Sequence, residues 1–217
     1  YNLGPLGAPS YWFSHSNAGR VPIGSSAVHG NRRYRAVTVR LGVLEVERNN
    51  VTYAFVMHDV SRANPSMSTV FNWLAYARDE WIADFAALLA ELKQRDAVIF
   101  STFHFSTNTV RAGPLLNKVM NDSGALARFS GHLHLQHIWY NVLGIMLYLS
   151  FPDLRNSGFF RIAAPDHGLF SFVDVQLGDP VFVLITSPKN SDFITMRDDL
   201  YSMATRNEIR MLVFAQW

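Results

Sequence analysis

The chain has 217 residues, of which 49% are apolar and 13% aromatic, so it carries ample hydrophobic surface to offset chain entropy and is not intrinsically disordered over most of its length. Its 19 basic and 17 acidic residues nearly balance, and the one basic cluster, Arg32, Arg33 and Arg35, is too small for a phosphate-tracking stripe, which excludes nucleic acid as a partner. There is no cysteine, which excludes disulfide scaffolds, thiolate zinc sites and cysteine nucleophiles.

The first residue is Tyr1 and no signal peptide follows it, so the chain reads as a processed or partial product. Residues 1–33 are rich in Gly, Pro, Ser and Asn, which predicts an irregular segment laid over a core. A hairpin is expected next, from Tyr34–Glu47 and Val51–Met57, with Asn49-Asn50 as a turn able to take left-handed conformations. Asp59 closes the second strand and Asn64-Pro65 opens a loop. Trp81, Ile82, Phe85, Leu88, Leu89 and Leu92 recur at three- and four-residue spacing, predicting a helix from about Asp79 to Gln94. A buried strand over Ala97–Phe105, a helix from Gly113-Pro114 to about Met120 and a strand over Ala125–Phe129 follow. The longest apolar run, Ile138–Phe151, is broken by Asn141 and falls short of the roughly 20 residues a bilayer helix needs, so it reads as a strand pair in a soluble piece. Gly144–Ser150, Phe159–Ala164 and Leu169–Val175 are strand-like. After Asp179-Pro180 come Val181–Ile185, a helix near Arg197–Ala204 and Ile209–Ala215. Strand, helix, strand, helix, strand in the middle of the chain predicts an α/β layer with a mixed sheet.

Chemistry points to the histidines. Gly131-His132-Leu133-His134 follows one predicted strand and His104 sits near the end of the one before it, and functional groups of such sheets gather at carboxyl ends of strands. His132 and His134 in extended backbone share one side, suited to two metal ions about 3.5–4 Å apart as in binuclear hydrolases. His15, His29, His58, His137 and His167 read as hydrogen-bonded core or surface residues. Ser14-His15 lacks the setting of a nucleophile elbow, and Asp198-Asp199 reads as a solvated helix end. Asn50-Val51-Thr52 and Asn121-Asp122-Ser123 fit the N-glycosylation pattern, which matters only in a secretory lumen.

Phe103-His104-Phe105-Ser106-Thr107 and Phe129-Ser130-Gly131-His132-Leu133-His134 resemble the last two metal-binding blocks of calcineurin-like metallophosphoesterases. The segments Phe160–Phe172 and Val183–Lys189 are similar to the transmembrane protein 62 branch. The resemblance implies a partial αββα sandwich with mixed sheets over residues 1–179, and the beginning of a β-rich domain over 180–217. It implies His104 and His132 as ligands of one metal and His134 as a ligand of another, with two divalent ions (Zn, Mn or Fe) in the complete protein. At most one ion is expected in this chain, because the Asp-x-His, Gly-Asp and Gly-Asn-His blocks are not found in it and three neutral imidazoles cannot offset the repulsion of two dications. Asp59 matches a strand-closing Asp of the pattern. By this resemblance the chain is an internal fragment of a membrane protein, on the luminal or extracytoplasmic side, anchored by segments outside it. Two functions stand open: part of an enzyme that hydrolyses a phosphate ester by metal-activated water, or a non-catalytic, membrane-tethered binding or structural domain keeping that fold. An unrelated domain with an accidental histidine cluster is the third reading.

Overall fold

The computed structural model describes residues 26–38, 40–60, 75–133, 135–140, 146–151 and 154–215. The chain is an α/β fold followed by a β-rich part, and it divides into two compact units, residues 1–132 and 133–217.

In the first unit, β1 (Ser26–His29), β2 (Arg32–Ala36), β3 (Leu41–Arg48), β4 (Val51–His58), β5 (Val98–Phe103) and β6 (Ala127–Ser130) lie side by side in chain order. The first three pairings are antiparallel, while β4–β5 and β5–β6 are parallel. Each parallel step is made by a helix, α1 (Asp79–Gln94) and then α2 (Gly113–Ser123), because a parallel neighbour is reached only by a crossover. Asn49 and Asn50 take φ of +50° and +61°, the left-handed pair of a tight hairpin turn, as their sequence predicts.

Helix α1 matches its expected span. Asp79 and Glu80 complement the dipole at its start, Lys93 complements it at the end, and Ile82, Phe85, Leu88, Leu89 and Leu92 are all buried. Burial of each of those side chains contributes about 1.5–3 kcal/mol. Across the sheet, Phe55 stacks on Phe100 at 5.0 Å and Phe100 on Phe129 at 6.2 Å. Helix α2 starts where Gly113 packs against the 3-10 turn Thr107–Thr109; a Cβ there would lie 2.0 Å from the Thr107 carbonyl oxygen, so only glycine fits.

The front of the sheet departs from expectation. Part of the segment read as irregular forms β1 and β2, turned by Gly30 at φ +57°, and the long strand expected over Tyr34–Glu47 is two strands, β2 and β3. Two residues of the basic cluster, Arg33 and Arg35, face carboxylates. Arg33 pairs with Glu45 across the β2–β3 register. Glu45 is only 4% exposed and takes Arg95 at 2.6 Å, with Arg33 and Arg35 each at 4.0 Å, while Arg35 makes a two-pronged bond to Glu91 at 2.8 Å. Those bonds hold the Arg35 guanidinium charged more firmly and push the Glu91 carboxyl below its usual range.

In the second unit, β7 (His137–Tyr140) and β8 (Leu147–Ser150) form the antiparallel pair expected of the long apolar run, with Trp139 stacked on Tyr148 at 5.6 Å. A one-turn helix α3 (Leu154–Ser157) leads to the hairpin β9 (Phe159–Asp166) and β10 (Leu169–Gln176). Then come β11 (Val181–Ser187), helix α4 (Leu200–Arg206) and β12 (Arg210–Ala215), the last pairing antiparallel with β11. Helix α4 begins later than expected because Asp199 caps it, accepting the Ser202 amide at 2.9 Å. Asp198, read as a solvated helix end, is instead buried, binding the Lys189 ammonium at 2.7 and 2.8 Å and the Thr195 amide at 2.6 Å. Burial pulls the Lys189 pKa down, and Asp198 opposes that shift. Strands on both sides of Asp179-Pro180 are joined in this unit: Asp166 of β9 accepts from Thr186 of β11 at 2.7 Å and from Arg210 of β12 at 2.8 Å.

Candidate functional site

Three parallel strands end together. The register places Met57 beside Thr102 and Phe103 beside Ser130, so the residues just past β4, β5 and β6 line one rim of the sheet. Those residues are Asp59, His104 and Gly131-His132. Catalytic and ligand groups of parallel sheets collect at this edge because side chains and loops converge there while the strands stay fixed.

The rim joins β5 to β6 directly. The Gly131 amide donates to the His104 carbonyl at 2.9 Å, holding the two exits together. His104 Nε2 and His132 Nδ1 face each other at 3.4 Å, with the rings crossed at 74°. His132 takes φ of +64°, so its backbone is left-handed and not the extended backbone expected for His132 and His134. Histidine enters this region more readily than most side chains, as His167 also does in the β9–β10 turn. Phe105 covers the pair, its ring 4.2 Å from His132 and edge-on to His104 at 5.1 Å.

Arg128, 1% exposed in β6, supports this loop from beneath. Its guanidinium donates to the Phe105 carbonyl at 2.8 Å and lies 4.7 Å from the Phe103 ring. Sequence reading passed over it; the signal was an arginine inside a strand otherwise fit for burial, since a charge there needs a partner worth its desolvation. Asp59 is 8% exposed, its carboxylate 3.9 Å from Arg40, and its amide donates to the Arg40 carbonyl at 2.8 Å. Arg40 lies 4.2 Å over the Trp81 ring of α1, which makes Asp59 an anchor of the β4 exit. His58, next to it, belongs to the core: it stacks on Phe85 at 5.0 Å and touches Phe103 at 5.5 Å. Burial pushes its imidazole down to about 4, with Asp59 opposing and Arg40 adding to the shift.

The structure thus brings His104 and His132 together. His134, the third expected ligand, and His15 lie outside the described residues. Among the described residues no group of three or more His, Cys, Asp or Glu is placed to hold a metal ion. His29 is exposed on β1, His137 begins β7, and His167 sits in the β9–β10 turn with Nδ1 2.6 Å from Asp166.

The separation of the paired nitrogens equals that of two ligands on one metal ion. Two ligands about 2.0–2.1 Å from a tetrahedral zinc lie about 3.3–3.4 Å from each other. The observed 3.4 Å has that spacing; both atoms offer lone pairs only in the tautomers that protonate His104 at Nδ1 and His132 at Nε2, and in the others one nitrogen donates a hydrogen bond to the other.

No family model matches the chain. A curated protein does, with 28% identity over 170 residues. It is Transmembrane protein 62 of mouse (Mus musculus). The match covers 75% of this chain and 26% of that protein, so the chain spans about a quarter of the relative's length. The relative is by name a transmembrane protein; among the described residues of this chain, no helix is long and apolar enough to cross a membrane.

Proposed function

We propose that the chain supplies two imidazoles, His104 and His132, to a divalent-metal centre that hydrolyses a phosphate ester. The parent protein is proposed to be of the Transmembrane protein 62 type, with this domain on the luminal or extracytoplasmic side. The observation that carries the reading is the 3.4 Å approach of His104 Nε2 to His132 Nδ1 at the carboxyl rim of adjacent parallel strands. The distant likeness to the mouse protein supports the family part of it.

A bound Zn, Mn or Fe ion would supply Lewis acidity toward a phosphoryl oxygen and an acidified water. The chain's own residues hold the donors. The Gly131 amide and the His104 carbonyl fix the spacing of the two loops, Phe105 shields one side of the imidazole pair from water, and Arg128 ties down the Phe105 carbonyl. Two neutral imidazoles match one ion, and His134 is proposed for a second ion together with carboxylates from outside this chain. Because only neutral imidazole binds metal, acidification is expected to release the ion.

The test begins with the metal-stripped chain and a chromophoric chelator in competition for zinc or manganese. One equivalent is expected to bind, with at least a tenfold weaker affinity in His104→Ala and in His132→Ala and no change in His137→Ala. Binding that survives both rim substitutions, or no binding at all, would overturn the assignment. In the native full-length protein, p-nitrophenyl phosphate hydrolysis with added manganese or zinc is expected to be lost in His132→Ala. A metal-free native protein with no such hydrolysis refutes the enzyme reading.

A further inference from the structure

We propose that Asn50 is an N-glycosylation acceptor and that Asn121, which heads the other triplet of that pattern, is not; the proposal rests on the luminal placement put forward above. The two triplets look alike in sequence, and the fold separates them.

Asn50 is exposed at the tip of the β3–β4 turn, the second of two left-handed asparagines, with Arg48 and Val51 closing the turn behind it. Thr52 follows in the extended backbone of β4, opposite Glu47, so the triplet Asn50-Val51-Thr52 leaves the turn as a short extended segment. A bulky, hydrated group at Asn50 starts from an exposed position at the end of the hairpin. It also leaves the site open. The eight residues of β4 separate the turn from the rim, about 25 Å at the rise of an extended strand.

Asn121 stands in the last turn of α2 and is half-buried. Its third residue, Ser123, is 6% exposed, and the hydroxyl donates to the Met120 carbonyl at 2.7 Å and accepts the Ala125 amide at 3.2 Å. Between them, the Asp122 carbonyl takes the Lys93 ammonium of α1 at 2.6 Å. A sugar on Asn121 would stand against this helix–helix junction.

The ligand class is a lipid-linked oligosaccharide. Transfer forms a bond from Asn50 Nδ2 to the anomeric carbon of the oligosaccharide and breaks that carbon's bond to the donor's pyrophosphate. The lipid pyrophosphate departs with the electron pair, and one amide proton is released.

The test has two arms. In the first, the chain is secreted from cultured cells behind a cleavable leader and treated with an amidase that removes N-linked sugars. One downward mobility step is expected, absent in Asn50→Gln and Thr52→Val, kept in Thr52→Ser, and unchanged in Asn121→Gln. Absence of the step, or its loss in Asn121→Gln, overturns the acceptor assignment. In the second arm, the native protein from a membrane fraction is treated in the same way and is expected to shift. A secreted chain that shifts beside a native protein that does not overturns the luminal placement and, with it, Asn50 as a modified residue in the cell, while leaving the metal assignment untouched.

Discussion

His58 makes this fold sensitive to acid in a way that one substitution isolates. The imidazole is 4% exposed between Phe85 and Phe103, and its Nδ1 has no hydrogen-bond partner among the described residues. Burial lowers its pKa from the ordinary 6.5 to about 4. Well above pH 6.5, as at pH 7.5, the ring is almost wholly neutral in folded and unfolded chains and contributes almost no pH dependence. Between pH 6.5 and 4 the unfolded chain binds a proton that the folded chain refuses, so stability falls as pH falls. The loss from this one side chain works out to about 2 kcal/mol at pH 5 and about 3 kcal/mol when fully developed below pH 4. His58→Phe keeps an aromatic ring against Phe85 and removes the titration. Urea unfolding of both proteins at pH 7.5 and pH 5 is the assay, with the imidazole titrated by NMR alongside. The native chain is expected to lose about 2 kcal/mol more than the variant over that interval. Equal losses, or an NMR titration near 6.5, would refute the reasoning. His58→Leu serves as a second variant should the larger ring strain the pocket.

Leu89→Ala, at a side chain 1% exposed, is expected to cost about 2–5 kcal/mol in urea unfolding, while Leu115→Ala, at one 45% exposed, stays within about 0.5 kcal/mol. Asp198→Ala leaves the buried Lys189 ammonium without its carboxylate and the Thr195 amide without an acceptor, so a loss of about 3–5 kcal/mol is expected; Lys189→Met with Asp198→Leu should lose less, and calorimetry of the two variants decides. Glu45→Ala separates the charge cluster of β2, β3 and α1 and is expected to cost about 1–3 kcal/mol, discounted because Arg33 and Arg95 are partly solvated; a high-salt melt should narrow the gap.

Where one physical cause dominates, the sequence already showed the structure. The apolar stripe of α1 has a single period, and its burial followed; Asn49-Asn50 tolerate left-handed backbone, and the hairpin turns there. The convergence of His104 and His132 was legible for a topological reason, since consecutive parallel strands with helical crossovers bring their carboxyl ends to one edge. Legibility failed where pairing, not pattern, makes the element. Ser26–His29 and Arg32–Ala36 show no alternation of their own and become strands because β3 offers a register to Arg32–Ala36. The burial of Glu45 and Arg128 was hidden for a related reason: each is held by a partner distant in sequence, Arg95 and the Phe105 carbonyl.

The close fit at Gly113 reaches further than its own turn. With the Thr107 oxygen pressed into the space a methyl group would need, even alanine there must lever the 3-10 turn away from α2, and that turn is the continuation of the segment bearing His104. Gly113→Ala should therefore unseat the buried junction of the 3-10 turn with α2, a cost read as lost stability in urea unfolding.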